Sequence, residues 1–147
     1  MNQNNRPLGW TTLEEAQQLV EAGLPVETAD MSYTWDFDDS RYIITTTPAK
    51  NWIVPKYAES TKIKQVLPCW SLGALVQLLP LNVQTDDSLP QKYDLEIKPY
   101  SGYMVAYCLN QSHHPMVFTE KHGTLIEACI EMIIWLLNNK FYEQEKC

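Results

Sequence analysis

Apolar residues recur at helical spacing in three stretches of the chain. From about Thr12 to Ala22, Leu13, Ala16, Leu19 and Val20 share one face of a helix. Thr12-Leu13-Glu14-Glu15 reads as a capping box at its start, and Gly23 followed by Pro25 stops it. A second, shorter helix spans Leu72 to Leu79, with Ser71 as N-cap, Trp70 placed to staple onto Leu75, and Pro80 as terminator. The third runs from Thr124, which opens the box Thr124-Leu125-Ile126-Glu127, to about Lys140. Leu125, Cys129, Met132, Ile133 and Leu136 line one face, and Ile126, Ile130, Ile134, Leu137 and Phe141 extend it. Its apolar arc spans roughly 260°, against the ~100° a one-sided surface helix needs, so it must be covered from more than one direction.

Strand patterns fill the space between the second and third helices. Tyr93, Leu95 and Ile97 alternate with Asp94, Glu96 and Lys98, the mark of a half-buried strand. After the turn Pro99-Tyr100-Ser101-Gly102 come Tyr103–Leu109, and after a polar stretch around His113 and His114 come Met116–Thr119. Short connections favour an antiparallel meander. In residues 24–68, Pro25, Pro48, Pro55 and Pro68 forbid a long helix. A hairpin is expected there, Tyr42–Thr47 turning through Pro48 into Trp52-Ile53-Val54. The reading is an α+β fold: a three-stranded antiparallel meander packed by helices (an α-β-β-β-α core), with an N-terminal helix and a proline-punctuated, partly β wrapping segment. One domain is expected over residues 1–147, with residues 1–68 forming the N-terminal helix and wrapping segment and 69–147 the core.

Charge sharpens this picture. Residues 1–40 carry eight acids against Arg6, whereas residues 41–70 carry five bases against Glu59, in a chain of net charge −7. The simplest consequence is that the acidic part folds against the basic part of the same molecule. The first residues, Met1-Asn2-Gln3-Asn4-Asn5-Arg6, lack the apolar stretch of a signal peptide, and no apolar run is long enough to span a bilayer. A cytoplasmic setting with reduced thiols at Cys69, Cys108, Cys129 and Cys147 is expected, and no C-x-x-C pair suggests a redox dithiol or zinc knuckle.

Chemistry is hard to find. His113, His114, His122 and Cys108 lack the short paired spacings of a zinc site. Asp36-Phe37-Asp38-Asp39 lacks the glycine and distal glutamate of a calcium loop and reads as a polar surface turn. There is no G-x-S-x-G elbow, Walker loop or dinucleotide fingerprint. Asp94 and Glu96 share a strand face that reads as the solvated side of a sheet. The α-β-β-β-α order is also that of double-stranded-RNA-binding domains, but those place a lysine cluster where this chain has Lys121 alone. No catalytic residue, cofactor, metal, nucleic-acid partner or membrane partner is therefore assigned.

Gly102-Tyr103-Met104-Val105-Ala106-Tyr107, a third strand and Thr124-Leu125-Ile126-Glu127-Ala128 resemble the β-β-β-α core of Hic-type antitoxins, without their C-terminal DNA-binding module. More of the chain resembles uncharacterised small proteins of gut Bacteroidetes and their phages or integrated elements. The segments are Thr12 to Pro25, Thr28-Ala29-Asp30-Met31, Pro68-Cys69-Trp70-Ser71-Leu72 with Leu78-Leu79-Pro80, and Glu127 to Ile133. That resemblance implies a bacterial or phage setting and no activity.

The function expected from these residues is a non-enzymatic protein-binding module, an accessory or inhibitor protein of a mobile element. Five tryptophans and eight tyrosines supply residue types enriched at interfaces. The alternative is an enzyme whose site is assembled from dispersed residues. Because the third helix is apolar nearly all round, Ile134, Trp135 and Phe141 form the edge expected to stay uncovered by the sheet, and a twofold homodimer would bury it.

Overall fold

A computed structural model describes residues 9–48, 66–84, 91–99, 101–109 and 114–141. Trp52-Ile53-Val54, His113 and Cys147 lie outside the described residues. The chain is α+β; the described residues hold three α-helices and two antiparallel sheets of three and four strands. It forms two compact units, Met1–Ala74 and Leu75–Cys147.

The first unit begins with α1 (Leu13–Ala22). The expected capping box is complete: the Thr12 N–H donates to Glu15 Oε1 at 2.9 Å and the Glu15 N–H to Thr12 Oγ1 at 3.2 Å. At the other end the Gly23 N–H reaches Val20 O and the Leu24 N–H reaches Leu19 O, each at 3.0 Å. This pair of bonds turns the chain through a left-handed residue, and Gly23 takes φ +103° there at no steric cost. A 3₁₀ turn at Val26–Thr28 leads into β1 (Met31–Asp36), then β2 (Arg41–Thr45) and β3 (Val66–Cys69). The sheet order is β2-β1-β3.

β1 and β2 form a hairpin that the sequence reading did not include. The expected strand over Tyr42–Thr47 is present as Arg41–Thr45 and pairs with β1, Asp36 opposite Arg41 and Ser32 opposite Thr45, while its expected pairing with Trp52-Ile53-Val54 lies outside the described residues. The turn is the acidic run itself. Asp36 Oδ1 accepts from the Asp38 N–H at 3.0 Å, and Ser40 adopts a positive φ of 49°. Met31, Tyr33 and Trp35 alternate with Ser32, Thr34 and Asp36, so the strand pattern was present.

The second unit holds the last turn of α2 (Leu72–Leu78), then β4 (Asn82–Gln84), β5 (Lys92–Lys98), β6 (Met104–Leu109), β7 (His114–Phe118) and α3 (Leu125–Asn138). The meander over residues 92–118 is present, in the order β4-β5-β6-β7. The expected three strands become four, because β4 adds itself to the outer edge of β5 with Val83 opposite Tyr93. At three residues β4 is too short to display a period. The core order is thus α-β-β-β-β-α. The register shifts between Tyr107, opposite Val117, and Cys108, opposite Pro115, a bulge that accommodates the proline near the sheet's edge.

α3 packs on β6. Thr124 caps it, its Oγ1 accepting from the Glu127 N–H at 3.2 Å. Every residue from Leu125 to Leu137 is buried or half-buried, in keeping with the wide apolar arc. Tyr107, also fully buried, directs its hydroxyl to Pro80 O at 2.8 Å. Among the described residues no helix is long and apolar enough to cross a membrane.

Candidate functional site

A groove of about 280 Å³ runs along the first unit between α1 and β3. Its helix wall is Leu13, Ala16, Gln17 and Val20; its other wall is Val26, Leu67 and Pro68. The helical period explains the first wall, since residues 13, 16, 17 and 20 fall on one side of α1. Ala16 and Leu19 are buried, while Val20 keeps 40% of its surface exposed at the groove's mouth. Leu67 stands at the opposite lip with 38% exposed. None of the seven lining side chains titrates.

Strand β3 is fixed by a polar network at its C-terminal end. The Trp70 N–H donates to Thr11 Oγ1 at 3.1 Å, the Thr11 N–H to Trp70 O at 2.9 Å, and the Leu72 N–H to Gly9 O at 2.9 Å. The Tyr33 hydroxyl donates to Thr11 O at 2.7 Å, and the fully buried Trp70 sends its indole N–H to Thr28 Oγ1 at 2.9 Å. Cys69 Sγ lies 3.6 Å from both oxygens of Thr11. Burial pushes the Cys69 thiol up to about 11, although its hydrogen bonds to Thr11 and Tyr33 act in the opposite direction. Burial also raises Tyr33 well above the usual phenol range, and the nearby Cys69 adds to this. Both groups stay protonated at neutral pH, so they act as hydrogen-bonding members of a core rather than as a nucleophile and base. Asp30 accepts from the Ser71 N–H at 2.9 Å and from the Ser71 hydroxyl, which itself caps α2 by accepting from the Ala74 N–H at 3.1 Å.

The edge singled out in the sequence, Ile134, Trp135 and Phe141, is half-buried at all three positions. Trp135 and Phe141 stack with ring centroids 5.0 Å apart and planes 21° off parallel. Phe141 follows the helix's C-terminal turn, where Lys140 takes φ +61°, and folds back onto the tryptophan. The two rings therefore partly cover one another.

A second cluster with chemical potential surrounds His122. Its Nε2 is 2.9 Å from Glu131 Oε1, and its Nδ1 is 3.9 Å from Glu127 Oε2. Glu131 also accepts from the Glu120 N–H at 3.0 Å, and the Thr124 hydroxyl donates to Glu127 Oε1 at 2.8 Å. These bonds fasten the β7–α3 connection to the first two turns of the helix. On the second sheet, Lys98 Nζ lies 3.4 Å from Glu96 Oε2, both side chains half-buried, so the face that reads as solvated in the sequence is partly covered here. Burial, and next the carboxylate of Glu96, push the Cys108 thiol up to about 11. Among the described residues no group of three or more His, Cys, Asp or Glu is arranged to hold a metal ion.

The groove was not singled out in the sequence because Val20 counted there simply as part of a buried helical face. Leu67-Pro68 carried no signal beyond a proline inside an apolar run. Comparison with protein-family models, with curated proteins and with solved structures gave no match for this chain.

Proposed function

We propose that this protein is a non-enzymatic protein-binding module, and that the groove between α1 and β3 is its contact surface. The observation that carries this reading is the groove's chemistry. It is an open apolar channel, with Val20 and Leu67 exposed at opposite lips and, among the described residues, no titratable side chain in its walls. An enzyme site of similar size would bring convergent polar or ionisable groups into the channel. The bacterial or phage setting rests on the resemblance of the sequence segments given above, and the accessory or inhibitor role on the chain's five tryptophans and eight tyrosines, residue types enriched at interfaces.

Affinity capture from a bacterial lysate tests the reading, with Val20→Asp as the matched control. A partner retained by the wild type and lost by the variant supports the groove as the contact surface. Equal retention by both proteins moves the contact surface elsewhere on the molecule. Steady conversion of a substrate by the purified wild type would replace the binding reading with an enzymatic one.

A further inference from the structure

Three rings gather at the turn end of the β1–β2 hairpin. Trp35 and Tyr42 stand directly opposite one another, and Phe37 follows Trp35 by two residues. The Trp35 and Tyr42 centroids are 5.0 Å apart with planes at 77°, and those of Trp35 and Phe37 are 6.5 Å apart at 83°. A cross-strand aromatic pair stabilises a hairpin, which accounts for Trp35 and Tyr42. It does not account for Phe37. That residue sits in the turn between Asp36 and Asp38, where backbone geometry calls for Asp, Asn, Ser or Gly. Its ring is 52% exposed, so burial is a weak reason for an aromatic at this position.

From this arrangement we propose that Trp35, Phe37 and Tyr42 bind a methylated ammonium group, of the kind carried by choline and by trimethyllysine. Two rings whose planes cross near a right angle border a corner in which one group meets two ring surfaces at once. The face of each ring carries the negative side of its quadrupole and attracts a cation within about 6 Å of the centroid. A bare ammonium is strongly hydrated, and a ring face offers its N–H groups no strong acceptor in place of that water. Methylation spreads the charge over apolar surface, which the rings cover as they attract it. Arg41 stands opposite Asp36, on the other face of the hairpin from Trp35 and Tyr42, and lies 3.7 Å from Asp39. These three rings are distinct from the side chains that line the α1–β3 groove, so the site is independent of the groove's role.

The test titrates the full chain with choline and, in parallel, with its neutral carbon isostere, in which a tert-butyl group replaces trimethylammonium. Each titration is followed by NMR at the Trp35 indole N–H, identified by its loss in Trp35→Phe. Choline is expected to shift that resonance saturably, with a dissociation constant on the order of millimolar. The isostere is expected to bind about threefold or more weaker. Phe37→Leu and Tyr42→Leu keep apolar bulk and remove a ring, and each is expected to lose the preference for the cation while thermal melts show it folded. A trimethyllysine peptide, set against its unmethylated form, distinguishes the sources. Binding tighter than choline assigns the methylated side chain of a partner protein, and weaker binding assigns a free choline-type molecule.

Equal affinity for choline and the isostere reduces the cluster to apolar surface and overturns the proposal. A Trp35 resonance that drifts linearly without saturating overturns it too, as does a cation preference undiminished in both leucine variants. The comparison of choline with its isostere needs no variant, so it decides the matter even where a substitution unfolds the chain.

Discussion

Gly23 and Gly102 both hold positive φ, at 103° and 138°, but a methyl group would meet different surroundings at each. At Gly23 a Cβ enters open space, so Gly23→Ala carries the left-handed penalty alone, about 1 kcal/mol. At Gly102 a Cβ would stand 2.6 Å from the backbone oxygen of His122. That oxygen accepts from the Tyr103 N–H at 2.7 Å, and the His122 N–H returns a bond to Tyr103 O at 2.9 Å, so it cannot move without breaking the bridge. Gly102→Ala should therefore cost above about 3 kcal/mol, with backbone strain and a lost bridge added together. Urea denaturation of the two variants checks the ranking, and equal costs would show that the 101–103 turn relaxes freely. The thiols give a second residue-scale test. Burial pushes Cys129 up to about 12, and Cys69 and Cys108 to about 11, from an ordinary value of 9.0. Between pH 9 and 11 the unfolded chain loses thiol protons that the folded chain keeps, so stability from these groups is complete below pH 9 and declines above it. Thermal midpoints measured from pH 7 to 11 should fall along the alkaline limb, and less steeply in Cys129→Ala. A midpoint independent of pH up to 11 would mean that the thiols ionise as readily in the folded protein.

At the scale of elements, what was legible in the sequence followed from local chemistry. α1 could be read from both ends, because Thr12 and Glu15 exchange bonds across one turn and Gly23 ends the helix within its own sequence. Thr12→Ala should cost about 1 kcal/mol in denaturant titrations, within the usual range for a lost cap. A neutral result would assign the helix's start to packing instead. α3 and the strands over residues 92–118 were equally legible, since capped 3.6-residue and two-residue periods fall in adjacent stretches of chain. The first sheet was less so. Its central strand β1 pairs Met31–Thr34 with Val66–Cys69, more than thirty residues away, and nothing local announces such a pairing. In the sequence Pro68 served only to forbid a long helix; a proline is tolerated where a strand's amide need not enter a ladder, and among the described residues β3 lies at the edge of the order β2-β1-β3. The groove inherits this difficulty. One wall belongs to a legible helix, the other to a strand visible only once the long-range pairing is known.

On the scale of the whole molecule, the open question is self-association. The sequence argument for a homodimer needed an apolar edge at Ile134, Trp135 and Phe141 that the chain could not cover. In the structure each of the three is half-buried, and the Trp135–Phe141 stack shields part of both rings from water. Such a pair adds about 0.5–1.5 kcal/mol beyond the area it buries, so part of the stabilisation a partner copy would supply is already present within one chain. We therefore expect light scattering at micromolar concentration to return a mass near 17.0 kDa. The net charge of −7 acts in the same direction at low salt, because two copies approaching one another repel. Trp135→Glu then distinguishes the two roles of the edge. In a monomer it removes the stack but leaves the new carboxylate partly hydrated, so the protein should melt earlier at an unchanged mass. If the wild type instead scatters at twice that mass and Trp135→Glu halves it while keeping the helical spectrum, the edge is a dimer interface and the stack is half of a larger aromatic contact.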